Sequence, residues 1–123
     1  EGKAKDQKSA QRTERYLQFV ASGLVSRNGL VKVFEEDLSP FELKRFAGML
    51  KEKFSESSIG VFSSIEGGFN YVIASSDPEL PKISKSLNAK LNGRGGGRDG
   101  MVQGTYRVDK KAVEEAFDEI FSK

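Results

Sequence analysis

Hydrophobic and polar positions change period several times along these 123 residues, and each change marks an element. Residues 4 to 26 read as a helix that stays polar as far as Arg15; beyond it Tyr16, Leu17, Phe19, Val20, Leu24 and Val25 form an apolar stripe at three- and four-residue spacing. Ser26-Arg27-Asn28-Gly29 ends it. "LVKVFEED", from Leu30, alternates as a strand does. Ser39, Pro40 and Glu42 then occupy the cap, first and third positions of a helix: a capping box, with proline where a missing amide costs nothing. Leu38 and Leu43 are placed as a hydrophobic staple, and Leu43, Phe46, Ala47, Leu50 and Phe54 share the core-facing side.

"SIGVFSSIEGGFNYVIASS" reads as a hairpin turning at Gly67-Gly68, because two-residue turns demand positive φ. Asp77-Pro78 signals a further helix, whose start falls as late as Pro81 and whose buried row is Ile83, Leu87 and Leu91. Asn92-Gly93 closes it. "MVQGTYRV" is a fourth strand, and Asp109 caps a last helix with Val113, Ala116, Phe117, Ile120 and Phe121 as its core row. The order, a helix followed by β-α-β-β-α-loop-β-α, predicts a single small α/β domain. It has a mixed sheet of about four strands, helices packed on it in two or three layers, and a right-handed βαβ crossover. Residues 1–28 form a helical connector, with Tyr16 to Val25 a candidate homodimer contact, and residues 29–123 the domain proper. The polar start without methionine reads as a piece of a longer polypeptide, or equally as a processed N-terminus or a cloning remnant.

Composition then removes chemistry. With 0 Cys and 0 His, disulfides and thiolate metal sites are excluded, along with the commonest general base and the commonest zinc ligand. Carboxylates are plentiful, but none pair as a recognisable acid/base set, so neither a catalytic centre nor a metal or cofactor site is expected here. No apolar run approaches the roughly 20 residues that cross a bilayer.

The net charge of +2 conceals an asymmetry. Between Lys82 and Lys111 stand eight basic residues (Lys82, Lys85, Lys90, Arg94, Arg98, Arg107, Lys110, Lys111) and two acidic ones (Asp99, Asp109), a local +6 that leaves −4 elsewhere. Such a cluster is either a solvated basic face or an anion-binding surface.

At its centre lies "LNGRGGGRDGMVQG", Leu91 to Gly104. Gly95, Gly97 and Gly100 match the dinucleotide signature G-x-G-x-x-G, yet a helix precedes and a strand follows, the reverse of what that site needs. A phosphate-binding P-loop fails for want of a lysine followed by Ser or Thr. Two readings stand: slack between helix and strand, or a nest of unobstructed amides at Gly95, Gly96 and Gly97 flanked by the guanidinium forks of Arg94 and Arg98. In the second, Asp99 holds the loop or orients an arginine, Gln103 reaches a ribose or base edge, and Lys82, Lys85 and Lys90 extend the basic surface.

"GRGGGRDGMVQG" resembles the glycine motif of the DHH-associated domain, in the version that closes alanyl-tRNA synthetases, where a basic residue, an aspartate and a glutamine follow three glycines. The hairpin, the "SSDPEL" helix entry and the final helix sit where that domain has them, so the resemblance spans roughly residues 29–123. Many members carry Pro-Asp and then Met-Ala-Gln after the basic residue; Asp99-Gly100 and Met101-Val102-Gln103 stand there instead. Related DHH phosphoesterases usually place a histidine after the glycines, and this chain has none. The resemblance implies a cytoplasmic tRNA-binding module that clamps the outer corner of tRNA and assists aminoacylation and editing by other domains. The alternatives are a substrate-gripping domain of a nuclease acting on single-stranded nucleic acid, and a dimerisation module whose loop is inert.

Overall fold

The computed structural model describes residues 18, 22–24, 29–36, 38–98 and 100–121. Its elements are β1 (Leu30–Glu36), α1 (Pro40–Lys53), β2 (Ser58–Ile65), β3 (Gly68–Ala74), α2 (Leu80–Lys90), β4 (Arg94–Arg98), β5 (Met101–Tyr106) and α3 (Lys110–Phe121). The strands form one mixed sheet in the order β1-β2-β3-β5-β4. Only β1 and β2 are parallel, as the intervening helix requires; the other neighbours are antiparallel. The sheet therefore has one strand more than the sequence pattern predicts, and the addition is the glycine stretch itself.

Helices cover both faces, which resolves the two-or-three-layer alternative in favour of three. On one face Leu43, Phe46, Ala47 and Leu50 of α1 pack against Val31, Val33, Ile59, Val61, Val72 and Ala74. On the other, Leu80 and Leu87 of α2 and Val113 and Phe117 of α3 pack against Phe62, Tyr71, Ile73, Val102 and Tyr106. Gly60 admits this second layer, because a Cβ there would meet the Phe117 ring at 2.7 Å. Lys32 reaches the same layer and pairs with Asp118 of α3 at 2.7 Å.

Local signals that depend on neighbouring residues are met. Ser39 Oγ accepts from the Glu42 amide while Glu42 Oε1 accepts from the Ser39 amide, the capping box predicted above. Leu38 and Leu43 join the same apolar cluster. Asp109 Oδ1 accepts from the Ala112 amide at the start of α3. At α2, Asp77 Oδ1 accepts from the Glu79 amide and the helix proper begins at Leu80, with Pro81 in its first turn. Its buried row shifts accordingly to Leu80, Ser84 and Leu87, with Leu91 buried just beyond and Ile83 only partly covered.

Two expectations change. The first hairpin turns at Glu66-Gly67, where Gly67 has φ +80; Gly68 is the first residue of β3, opposite Ile65. Gly68 is a glycine for a different reason: a Cβ there would lie 1.9 Å from the Tyr106 carbonyl oxygen. The N-terminal helix expected over residues 4–26, and with it most of the candidate homodimer stripe from Tyr16 to Val25, lies outside the described residues. Gln18, Ser22 and Gly23 are helical, and Leu24 packs against the α1-side core. Among the described residues no helix is long and apolar enough to cross a membrane.

Candidate nucleic-acid interface

The stretch Arg94–Arg98 is the edge strand β4, paired antiparallel with β5 and joined to it through residues 99 and 100. Gly100 has φ +90, a turn conformation that favours glycine. The register sets Arg94 opposite Thr105, Gly95 opposite Gly104, Gly96 opposite Gln103, Gly97 opposite Val102 and Arg98 opposite Met101. Since successive residues of a strand face opposite ways, this sorts the motif into two sets. Arg94, Gly96 and Arg98 share a face with Thr105, Gln103 and Met101, the face on which Met101 touches the α1-side core. Gly95 and Gly97 share the opposite face with Val102 and Tyr106, above α2.

The second set explains most of the glycines. Tyr71, Gly104 and Gly95 lie in one row across β3, β5 and β4, and the Tyr71 phenol runs along the trough the two glycines leave. A Cβ on Gly95 would lie 2.6 Å from the Tyr71 hydroxyl and 2.2 Å from the Gln103 carbonyl oxygen; on Gly104 it would lie 2.1 Å from the Arg94 carbonyl oxygen. Gly97 is equally closed, with the Met101 carbonyl oxygen 2.3 Å from its ideal Cβ. Gly93, just before the strand, would press on the Tyr106 ring at 2.5 Å. What approaches the glycines so closely is thus the protein itself.

Asn88 of α2 clasps this arrangement. Its Oδ1 accepts from the Tyr71 hydroxyl at 3.1 Å, and its Nδ2 donates to the Gly95 carbonyl at 3.4 Å. Tyr71 and Tyr106 stack with ring centroids 4.0 Å apart and planes 8° from parallel. Burial pushes the Tyr71 phenol above its ordinary value, with Ser84, Asn88 and Tyr106 opposing the shift. Tyr106, more deeply buried, is pushed up further, and the adjacent Tyr71 adds to the effect. The Ser84 and Tyr106 hydroxyls are buried without a partner in hydrogen-bond geometry among the described residues.

The first set faces outward. Among the described residues α1 packs over β2 and β3, and the same face of β5 and β4 lies beside it rather than beneath it. Arg94, Gly96 and Gln103 are exposed there, and an ideal Cβ on Gly96 would meet nothing within 4 Å. Thr105 Oγ1 donates to Asn70 Oδ1 at 3.0 Å, tying this surface to β3. Of the candidate residues, then, Arg94, Gly96 and Gln103 are brought together with the backbone of Arg98. Gly95 and Gly97 act from beneath, and Asp99 lies outside the described residues.

Lys82, Lys85 and Lys90 belong to α2, in the layer on the other side of the sheet. Lys82 pairs with Glu79 at 3.4 Å and Lys90 with Glu119 at 2.8 Å, while Lys85 is exposed. The +6 segment is therefore two basic surfaces, one of them partly neutralised. Arg107, which the sequence offers only as a member of the basic cluster, joins Asn92 and Thr105, which were not candidates, in lining with Arg94 a cleft of about 490 Å³. The signal for them is Asp99-Gly100, a hairpin dipeptide that, once recognised, puts both strands in register and brings these four residues to one end of the pair.

The model of the DHHA1 domain matches residues 26–123. The chain belongs to this family. The DHHA1 domain described here is 35% identical over 71 residues to alanine-tRNA ligase of Malacoplasma penetrans, a match that covers 51% of this chain and 8% of the relative. It is 29% identical over 79 residues to alanine-tRNA ligase of Acholeplasma laidlawii, covering 63% of the chain and 9% of the relative. The chain thus spans less than a tenth of the length of these curated relatives. Among solved structures, the C-Ala domain of Aquifex aeolicus alanyl-tRNA synthetase superposes with TM-score 0.65 and 23% identity, over 81% of this chain and 98% of that one. RecJ from Thermus thermophilus superposes with TM-score 0.70 and 12% identity, over 93% of this chain and 17% of that one. At such identities both likenesses are likenesses of fold. The chain is thus a DHHA1 domain with alanine-tRNA ligases among its sequence relatives and the C-Ala domain among its structural ones.

Proposed function

We propose that this DHHA1 domain, residues 29–123 with residues 1–28 as its connector, binds tRNA as the C-terminal module of an alanyl-tRNA synthetase-type protein. Aminoacylation and editing would belong to other domains of the parent. The observation that carries the reading is the outward face of β4 and β5, where Arg94, Gly96 and Gln103 stand side by side on a strand whose alternate glycines fasten it to the core. A guanidinium offers paired donors to phosphate oxygens, Gly96 allows close approach, and Gln103 both donates and accepts, as a ribose or base edge requires. RNA of fixed shape is held largely through phosphate and 2′-hydroxyl contacts, and this inventory matches that need better than base readout.

The single-strand reading has less to support it. Binding of unpaired bases calls for exposed aromatic platforms, and Tyr71 and Tyr106, the rings nearest β4, are buried and stacked on each other. The test is binding of the chain to folded alanine tRNA, to the same tRNA with its D-loop/T-loop contact disrupted, and to a single-stranded oligonucleotide, each over a salt series. Preference for the intact corner, with Arg94→Ala weakening binding about tenfold while the fold persists, is the expected result. Equal or stronger binding to the single strand would transfer the domain to the nuclease reading. No binding to any of the three would leave a dimerisation module.

A further inference from the structure

We propose that the cleft between Asn92, Arg94, Thr105 and Arg107 is a second anion site, receiving a phosphate group of the RNA backbone with Arg107 as its principal donor. The proposal rests on the tRNA reading for the source of the phosphate, while the chemistry of the site stands on the cleft alone.

Three elements assemble it. Asn92 follows α2 with φ +50, Arg94 opens β4, Thr105 lies near the end of β5 and Arg107 directly follows that strand. The Arg107 amide donates to the Leu91 carbonyl at 3.2 Å, which fastens the end of β5 to the end of α2 and so fixes the width of the cleft. Thr105 is opposite Arg94 in the ladder and on its side of the sheet. The cleft is thus continuous with the outward face, and Arg94 belongs to both.

Its electrostatics favour an oxyanion. Among the described residues neither Arg94 nor Arg107 has an ion pair, whereas Lys32, Lys82 and Lys90 each find a carboxylate. Two guanidinium groups lining one cleft repel each other unless an anion lies between them, and their flat forks suit the paired oxygens of a phosphate. Arg107 Nη1 makes one long contact, 3.4 Å to the Glu66 carbonyl, which leaves most of its five donors free and props the side chain along the β2–β3 turn. The Asn92 amide can add a further donor. Thr105 contributes a wall, since its hydroxyl proton is already committed to Asn70. At about 490 Å³ the cleft exceeds what a bare phosphate fills and admits the flanking sugars of a phosphodiester.

Two arms test this on the 123-residue chain. In the first, inorganic phosphate is titrated while the arginine side-chain Nε–H resonances are followed by NMR. Arg94 and Arg107 are expected to shift together and saturably, and Arg107→Ala to abolish the Arg94 shift. In the second, tRNA affinity is measured over a salt series for wild type, Arg107→Ala and Arg107→Lys. Arg107→Ala is expected to weaken binding about five- to tenfold and to lower the slope of log K against log salt by about one, with the lysine variant intermediate. Phosphate that moves neither arginine, or an Arg107→Ala variant with unchanged tRNA affinity and slope, overturns the proposal. If phosphate titrates the cleft while wild type fails to bind tRNA, the anion site stands and the tRNA reading falls; the ligand is then a free phosphate compound.

Discussion

Substituting alanine for each of two adjacent glycines separates the two roles of the motif. At Gly95 the new Cβ would stand 2.2 Å from the Gln103 carbonyl oxygen, 2.6 Å from the Gly104 Cα and 2.6 Å from the Tyr71 hydroxyl, so β4 must draw away from β5 or the phenol must leave its trough. Overpacking of this kind costs about 1–3 kcal/mol. The φ of +156 at Gly95 adds strain for any residue with a Cβ, on the order of 1 kcal/mol or more. Gly95→Ala is therefore expected to lower stability by about 2–4 kcal/mol, a Tm loss on the order of 10 °C for a domain of this size.

At Gly96 nothing lies within 4 Å of the same atom, and the change is expected to be neutral, within about 0.5 kcal/mol. Binding should show the opposite order per unit of stability lost, because Gly96 faces the proposed RNA and Gly95 does not. Urea denaturation measures the first quantity. Amide exchange then shows whether the loss is global or confined to detachment of the edge strand. Equal destabilisation by the two substitutions, or a larger effect at Gly96, would refute the assignment of the glycines to two faces.

Other consequences follow from the clasp and the buried phenols. Asn88→Ala removes a partner from both the Tyr71 hydroxyl and the Gly95 carbonyl; it is expected to cost about 1–2 kcal/mol and to accelerate amide exchange in β4 and β5 while the α1-side core stays protected. Unchanged exchange in β4 would show that Asn88 does not hold the strand. Tyr106→Phe discards a buried hydroxyl without a partner among the described residues, so it is expected to be neutral or stabilising by about 1 kcal/mol in urea denaturation; a loss of that size would reveal a partner. Both phenols have raised pKa values in the folded state, so the folded chain keeps protons that the unfolded chain releases as pH climbs past 10.0. Stability should therefore be insensitive to these groups well below that pH and fall above it, by at most about 1.4 kcal/mol per pH unit for a phenol that keeps its proton in the folded state. Denaturation curves measured across that range check the slope, which Tyr71→Phe should reduce.

Legibility in the sequence followed the distance over which each signal acts. The capping box at Ser39, the row Leu43, Phe46, Ala47 and Leu50, and the Asp109 cap are fixed by residues within one or two turns, and all were readable. The hairpin of β2 and β3 was readable too, with its turn displaced by one residue because two adjacent glycines answer to different constraints, one to φ and one to the Tyr106 carbonyl. The strand at Arg94–Arg98 was not. Three consecutive glycines carry almost no strand propensity, and the reason they form one lies in Tyr71, Asn88 and Gly104, remote in sequence or, at Gly104, across a turn. The three lysines of α2 show the converse, being near the motif in sequence and in the layer on the other side of the sheet.

Treating "RGGGR" as a strand changes what its glycines are for. In a flexible loop, three glycines would give amides free to wrap an anion and arginines with no fixed spacing, and ordering them on binding would oppose affinity by the conformational entropy lost. In β4 that ordering belongs to folding. Gly95 and Gly97 admit β5 and the Tyr71 phenol from below, and this close fit is what lets a glycine-rich segment behave as a strand. The period of two then does the rest, setting Arg94, Gly96 and Arg98 on one face with about 13 Å between the two arginine Cα atoms and a residue without a side chain between them. Tight glycines below and an open one above are therefore parts of one arrangement, in which the packing of Tyr71 and Asn88 determines how rigidly the outer face can meet an extended anionic ligand.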